Sequence, residues 1–282
     1  MYADDSTMIE TGSTVEEIGQ KLTASCTRVS EWMSSNKLKL NADKTHLLML
    51  GTQERLRNTG LLDVYMYGLV LEESLKKCEE LLGVDIEANL KWHSQISKLM
   101  SKLKTRLVGL NKLKFLAPFK TRNTITIGIF NSVLVYCLPL FGGCDKGEIQ
   151  DLQVLQNKAA RIVTHKPSRS SRKDLYDQLG WMSVNQLIVY HTLLLVFKIR
   201  QSGEPEYLAS FLNDDSRTGR VIIPNTKLGL AQKSFCFRGS SDFNLLPLNL
   251  RISKKIGHFK HGVKRWVMEK ILRFVEKKMC VL

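Results

Sequence analysis

Residues 92–110, "WHSQISKLMSKLKTRLVGL", decide how the fold is organised, because a helical repeat of apolar residues begins here. The apolar residues recur every three or four positions, as they do along one side of an α-helix: Ile96, Leu99, Leu103, Leu107 and Leu110. Cations occupy the positions between them: Lys98, Lys102, Lys104 and Arg106. The pattern predicts a long helix with a buried stripe and a basic surface.

Positive charge is concentrated around this helix. The net charge is +15 over 282 residues, and no acidic residue lies between Glu87 and Asp145. A second basic region runs from Arg251 to Lys278. Because Lys and Arg neutralise phosphates and release counterions, this placement indicates a nucleic acid as the partner. A solvated helix face, or an acidic protein partner, accounts for the same charges and stays open as an alternative.

The residues that precede the helix have a mixed pattern. Residues 13–36 have the spacing of an amphipathic helix, and Ser13 or Thr14 can cap it. Residues 37–51 predict a strand, then a turn, and then a short buried strand, "HLLMLG". "LLDVYMYG" and "LVLE" follow as candidate hairpin strands. Since the pattern after residue 92 is mainly helical, the sequence predicts an α+β fold.

Cysteine usage and hydropathy bear on location. Six cysteines are scattered without paired spacing, so we expect no zinc site or disulfide framework and an intracellular setting, nucleus or cytoplasm. No secretory signal is visible at the start.

Residues 123–144 carry no charged side chain and are long enough to span a bilayer. Asn131 and Pro139 favour a buried helix ending near Pro139, so we expect no membrane partner, with a transmembrane span as the alternative.

The first residues, "MYADDSTM", place Asp4 and Asp5 side by side. Such pairs are common in turns, but carboxylates also hold Mg²⁺ in two-metal phosphoryl transfer, because hard cations prefer oxygen ligands. An amphipathic helix and then "LKLNADKTHLLMLG" follow in the sequence. In this order the segments resemble the polymerase core of reverse transcriptases from non-long-terminal-repeat (LINE-like) retrotransposons.

The resemblance implies roles for individual residues. Asp4 is expected to be the principal ligand of the catalytic Mg²⁺ and Asp5 its partner, in a hairpin of the palm. Lys44 matches the lysine near the incoming nucleotide that protonates the leaving pyrophosphate; its structural alternative is a solvated turn residue. "KCEELLGVDIEANLKWHSQI" resembles the primer-grip hairpin, whose Leu-Gly-Val element is Leu82, Gly83 and Val84. A core strand with a turn glycine is the alternative for that element.

Later segments extend the resemblance over almost the whole chain: "LQNKAARIVTH", "LGW", "PEYL" and "RGSSDFNLLP". In the last of them Phe243 stands where the family usually has tryptophan. The resemblance implies a partial palm of short antiparallel strands plus helix at 1–90, a basic thumb-like helical region at 91–165 and a helical C-terminal region at 166–282. It also implies an RNA template and a DNA primer as partners, with phosphate contacts from Lys91, Lys98, Lys102, Lys104, Arg106, Lys112 and Lys114.

One departure from the family concerns catalysis. The family's palm has another catalytic aspartate on an earlier strand, preceded by the fingers, whereas here only Met1 precedes Tyr2. We therefore expect an incomplete Mg²⁺ site, with deoxynucleotides bound only in a complete palm. Our interpretation is a C-terminal fragment of an RNA-directed DNA polymerase that is inactive alone. The alternative is a non-enzymatic basic RNA- or DNA-binding fragment, or a relic.

We predict that the 282-residue chain does not extend a DNA primer on an RNA template in the presence of Mg²⁺. Catalysis of this reaction rests on positioned metal ions, so the loss of ligands costs many orders of magnitude in rate. A primer-extension assay measures this directly. Extension that Asp4→Ala abolishes would show the prediction to be wrong.

Overall fold

The structure, a computed structural model, describes residues 6–39, 41, 44–58, 62, 64–66, 69–71 and 77–279. The chain divides into two compact units, Met1–Gln95 and Ile96–Leu282. The fold is α+β and mostly helical, and the paired strands among the described residues belong to the first unit. The predicted fold class is confirmed at this level. The functional division at residues 90 and 165 stays a prediction.

The first unit contains helix α1, Val15–Ser35, as the pattern predicts. At its start the Thr14 hydroxyl accepts the backbone N–H of Glu17 (3.2 Å), and the Glu17 carboxylate accepts the N–H of Ser13 (2.8 Å). These bonds satisfy donors that a helix terminus leaves unpaired. On the buried side of α1, Leu22 and Cys26 share one apolar cluster with later residues of the unit: Leu47, Val64 and Met66.

Two hairpins and a short helix complete the described part of this unit. They are α2 (Gln53–Asn58), the pair β1 (Tyr65–Met66) and β2 (Leu69–Val70), and the pair β3 (Cys78–Leu81) and β4 (Val84–Glu87). Leu82 and Gly83 link β3 to β4 with positive φ values of 50° and 81°. This backbone is that of a two-residue type I′ turn, whose twist matches the flanking strands. Both hairpins agree with the predicted strand segments, although they do not by themselves establish a polymerase palm.

Residues 37–51 differ from the sequence prediction. Lys37 has a left-handed backbone (φ 58°) in the turn after α1, and Leu38 is exposed instead of alternating into a core. The segment that carries Leu47 and Leu50 forms no regular strand, and it buries the first of these leucines while exposing the second. Among the described residues of this segment, only Leu47 forms a bridge, and no strand is present, because the turn that follows α1 extends through Lys37 and leaves Leu38 exposed.

The second unit is helical, and α3 leads into it from the end of the first. Its helices are α3 (His93–Leu113), α4 (Phe119–Thr126), a π-helical segment (Ile127–Asn131), α5 (Ser132–Val135), α6 (Leu138–Phe141), α7 (Lys146–Thr164), α8 (Arg172–Leu179), α9 (Val184–Ser202), α10 (Glu206–Ala209), a 3₁₀ turn (Ser210–Leu212), α11 (Gly229–Gln232), α12 (Phe235–Asn244), α13 (Leu248–Arg251) and α14 (Ile256–Met279). Helices α6, α7, α12 and α14 all pack against α9. Because it is covered on several sides, α9 is apolar around most of its circumference.

The uncharged segment 123–144 is helical as far as Val135, close to the predicted end near Pro139, and a separate short helix follows. The segment is broken at Cys137, which has a left-handed backbone (φ 51°), and Pro139 lies in the first turn of α6. Proline is well tolerated there, because the first N–H groups of a helix have no partner within it. Pro139 therefore starts a helix instead of ending one. None of the described helices is, by itself, long and apolar enough to cross a membrane, although the bent pair α8 and α9 meets the length and composition test.

A buried hydrogen-bond network joins α7, α8 and the start of α9. The Gln153 amide donates to the Tyr176 hydroxyl (2.6 Å), which donates to Gln156 (3.0 Å). Gln156 in turn donates to the Met182 carbonyl (2.9 Å), and the Val184 N–H donates to the Gln153 side-chain oxygen (2.9 Å). Burial raises the pKa of the Tyr176 hydroxyl. Part of the "LQNKAARIVTH" segment therefore serves the interior of this unit.

Helix α12 contains most of "RGSSDFNLLP". Two of its side chains hold it in place by hydrogen bonds to backbone groups of other segments. Arg238 donates to the Pro139 carbonyl of α6 (2.7 Å). The Asn244 amide bonds both the N–H and the carbonyl of Val221 (2.9 and 2.8 Å), as a neighbouring strand would. Phe243 is buried, which suits the aromatic position of the segment.

We predict that Tyr176→Phe lowers the free energy of unfolding of the second unit by about 1–3 kcal/mol, because buried amides then lose a partner. Urea unfolding of the full chain, followed by helical circular dichroism, measures this. Tyr207→Phe is the matched control, since Tyr207 is 68% exposed. Equal stabilities for the two variants would contradict a structural role for the network.

Candidate nucleic-acid interface

Helix α3 is amphipathic as predicted. Its apolar stripe is buried, with exposed fractions of 0–9% at Ile96, Leu99, Leu103, Leu107 and Leu110. At the start of the helix the Glu87 carboxylate accepts the N–H of Ser94 (2.7 Å), which satisfies a free donor and complements the helix dipole. The sequence spacing therefore fixes which sides of α3 remain accessible.

The cations predicted to bind phosphate do not all lie on one side of α3. Residues 98, 102 and 106 follow at four-residue intervals and lie along one flank of the buried stripe, whereas Lys104 and Lys112 lie at other angles. Lys102, Lys104, Arg106 and Lys112 are exposed, and none has a hydrogen-bond or ion-pair partner among the described residues. The helix therefore offers cations on several sides, with one aligned row.

Lys91 and Lys114 lie outside the regular part of this arrangement. Lys91 is exposed and precedes α3, and its backbone N–H donates to the Asn89 side chain (2.8 Å). Lys114 follows α3 and is half-buried, with its ammonium 5.2 Å from the ring centroid of Phe115. Each of these two lysines is thus placed by a local contact beside the helix.

An aromatic platform at the end of α3 is formed by Lys114, Phe115 and His165. Phe115 is 81% exposed and meets the His165 ring edge to face, at 5.4 Å between centroids. His165 donates from Nε2 to the Lys114 carbonyl (2.7 Å), which ties the platform to the end of α7. An exposed ring among cations can stack on a nucleobase while the cations contact phosphate. The sequence reasoning missed this platform, although "KLKFLAPFK" at 112–120 interleaves aromatic residues with lysines.

Arg122 belongs to the same acid-free stretch but serves the fold. Its Nε and Nη2 donate to the Val163 carbonyl (3.1 and 2.9 Å), and its Nη1 donates to the Ala117 carbonyl. Carbonyls in the last turn of a helix have no partner within it, so this guanidinium caps α7. Its hydrogen-bonding capacity is therefore spent largely within the protein.

The other predicted site residues lie in the first unit. Lys44 is exposed, and its backbone N–H donates to Asn41 (3.2 Å), which is the spacing of the predicted turn. Leu82 and Gly83 form the turn of the β3–β4 hairpin, and Val84 is buried. The hairpin geometry suits an exposed tip at Leu82, which is 46% accessible.

The predicted Mg²⁺ ligands Asp4 and Asp5 lie outside the described residues. Within the described ranges, no group of three or more His, Cys, Asp or Glu side chains is placed to hold a metal ion. The metal site therefore stays a prediction from the resemblance.

Comparison with protein-family models, with curated proteins and with solved structures gives no match. The resemblance to LINE-like reverse transcriptases thus rests on the sequence motifs alone.

We predict that Phe115→Ala weakens binding of single-stranded RNA by about 1–3 kcal/mol, because a base loses its stacking partner. Fluorescence anisotropy with a labelled oligonucleotide measures the affinity. Leu116→Ala is the control, since Leu116 is exposed to a similar degree (78%) but cannot stack. The same loss in both variants would exclude a stacking role for Phe115.

Proposed function

We propose that the chain is the C-terminal portion of a LINE-like RNA-directed DNA polymerase, in which α3 and the aromatic platform hold the RNA template and the DNA primer. The observation that carries the proposal is a set of exposed cations on an acid-free helix that have no partner among the residues the structure describes: Lys102, Lys104, Arg106 and Lys112. Cations that are not neutralised by the protein are available to phosphates.

The row of cations at residues 98, 102 and 106 suits contact with successive phosphates along a nucleic-acid strand. Lysines and arginines that contact phosphates position a nucleic acid without reading its bases. Such contacts suit a polymerase, which must accept any template sequence. The aromatic platform adds a contact with an unpaired base, which is equally tolerant of sequence because every base has a stacking face.

The β3–β4 hairpin supports the polymerase assignment through its sequence and shape together. Its turn contains Leu82 and Gly83, and Val84 opens β4, so the Leu-Gly-Val element lies at the tip of a hairpin. A primer grip is a hairpin in the resembling family. The match of element and geometry favours that role for residues 82–84.

The catalytic part of the proposal concerns Asp4, Asp5 and Lys44. When bound, Mg²⁺ supplies charge stabilisation for phosphoryl transfer, and the two carboxylates are the residues proposed to hold it. Lys44 is exposed, as a residue that meets a nucleotide has to be. Deoxynucleotides are proposed as substrates of a complete palm only.

A non-enzymatic RNA- or DNA-binding role is the second candidate. The same observation favours it, because the cations of α3 need no catalytic aspartate to bind phosphate. Sequencing the genomic region upstream of Met1 separates the two candidates. An in-frame palm strand with an aspartate, preceded by fingers, supports the polymerase, whereas intervening stop codons leave binding alone.

We predict that replacing Lys98, Lys102 and Arg106 together with Gln weakens binding of an RNA–DNA duplex and flattens its salt dependence. Each lost phosphate contact lowers the slope of log K against log[salt] by about 1, so a change of about 2–3 is expected. Affinities measured at several KCl concentrations, from about 50 to 300 mM, give this slope.

The matched control replaces Arg217, Arg220 and Lys227 with Gln, since these are exposed cations of the same unit outside α3. This control removes the same charge and is expected to leave the slope close to that of the original chain. An equal change in both triple variants would mean that only net charge matters, and would contradict the proposed surface.

A further inference from the structure

A cavity of about 350 Å³ lies in the second unit, away from the residues of the α3 surface. Its lining comes from the end of α9, from α12, and from the junction of α13 with α14. Phe197 and Phe243 form apolar walls, and Gln201 and Ser253 are among its polar residues. Three cations line it as well, Arg200, Arg251 and Lys254, and no acidic side chain is among its described lining residues.

Arg251 lines this cavity, and two donors of its guanidinium are unsatisfied. Its Nε and Nη1 atoms are buried and have no hydrogen-bond partner among the described residues. A charged donor removed from water without a partner is costly, and such groups in folded proteins are normally paired. Among the described residues, these two donors therefore lack an acceptor.

Arg200, by contrast, has partners within the protein. It forms a two-pronged ion pair with Asp214 (2.9 and 2.8 Å) and donates to the Leu212 carbonyl (2.8 Å). Its guanidinium carbon also lies 5.0 Å from the ring centroid of Phe243. The charge of Arg200 is thus compensated within the protein, and its role is to build one wall.

Lys254 is the other cation without compensation. Its side chain is exposed at the cavity and has no ion-pair partner among the described residues. Its backbone is fixed, since the Lys254 carbonyl accepts the Gln201 side-chain amide (3.1 Å). Arg251 and Lys254 together therefore place two positive charges beside the apolar walls formed by Phe197 and Phe243.

We propose that this cavity is a phosphate-binding site. A guanidinium donates two parallel hydrogen bonds to two oxygens of a phosphate, and an ammonium adds a point charge. Arg251 supplies the first contact and Lys254 the second, and the two positive charges balance a phosphate dianion. The volume leaves room for the sugar or base of a nucleotide beyond the phosphate itself. The site does not depend on the polymerase proposal, because none of its residues belongs to α3 or to the first unit.

Calorimetric titration of the full chain with inorganic phosphate, at constant ionic strength, tests the site. We expect saturable binding that Arg251→Met weakens by about 10- to 100-fold, the loss typical of charged hydrogen bonds. Lys255→Met is the control, because Lys255 is an exposed neighbour that does not line the cavity. No binding, or equal binding by the chain and both variants, overturns the proposal.

Lys254→Met provides a second variant, since this exposed side chain can be truncated without disturbing the interior, and a several-fold loss of phosphate affinity is expected.

Competition distinguishes the sources of the phosphate. If a single-stranded oligonucleotide without a terminal phosphate displaces bound phosphate, and Arg251→Met abolishes this effect, the natural ligand is the phosphodiester of a nucleic-acid strand. Displacement by a nucleoside monophosphate alone identifies a free phosphate monoester. The triple variant of α3 is expected to keep its phosphate affinity, which separates this site from the proposed template surface.

Discussion

The second unit depends on the Tyr176 hydroxyl, which joins the side-chain amides of Gln153 and Gln156 inside the protein. Apolar contacts tolerate sliding of one helix along another, whereas hydrogen bonds fix both distance and direction. Once these polar groups are buried, an arrangement that breaks their bonds is costly. The network therefore sets α7, α8 and the start of α9 in one register. Because α9 is the helix against which α6, α12 and α14 pack, that register is transmitted to the rest of the unit.

The end of α7 connects this fixed arrangement of helices to the proposed nucleic-acid surface. The Val163 carbonyl, in the last turn of α7, holds the Arg122 guanidinium, and His165 just beyond it holds the Lys114 carbonyl. Phe115 is therefore presented by a fixed helix end, although its own ring is exposed. Preorganisation of this kind lowers the entropy lost when a ring stacks on a base.

Helix α12 shows how the unit manages a buried charge. Burial raises the pKa of the Asp242 carboxyl to about 6, and the positive charge of Arg238 offsets only part of this effect. A carboxyl whose pKa is raised by folding favours the folded state at pH values below its unfolded pKa. That advantage is lost as the pH rises through about 6. At neutral pH, α12 is accordingly held by backbone bonds from Arg238 and Asn244, since its buried carboxylate opposes folding.

Much of the fold follows from local periodicity, and the failures of the sequence prediction have tertiary causes. The stripe of α3 and the helix α1 are predictable because a 3.6-residue repeat is a local property of the chain. The break at Cys137 and the missing strand around Leu47 depend on what surrounds them. The Arg251 cavity joins residues from α9, α12 and the α13–α14 junction, so no short window of sequence contains it.

Charge is the property for which sequence and structure diverge most. The net charge of +15 counts every cation equally, whereas the structure divides the cations into two kinds. Arg122, Arg200 and Arg238 donate to carbonyl or carboxylate oxygens of the protein, because a planar fork can serve several acceptors at once. Cations such as Lys102 on α3 and Lys254 at the cavity have no such partner among the described residues. The proposed phosphate contacts therefore come from the second kind of cation, which is more localised than the composition alone indicates.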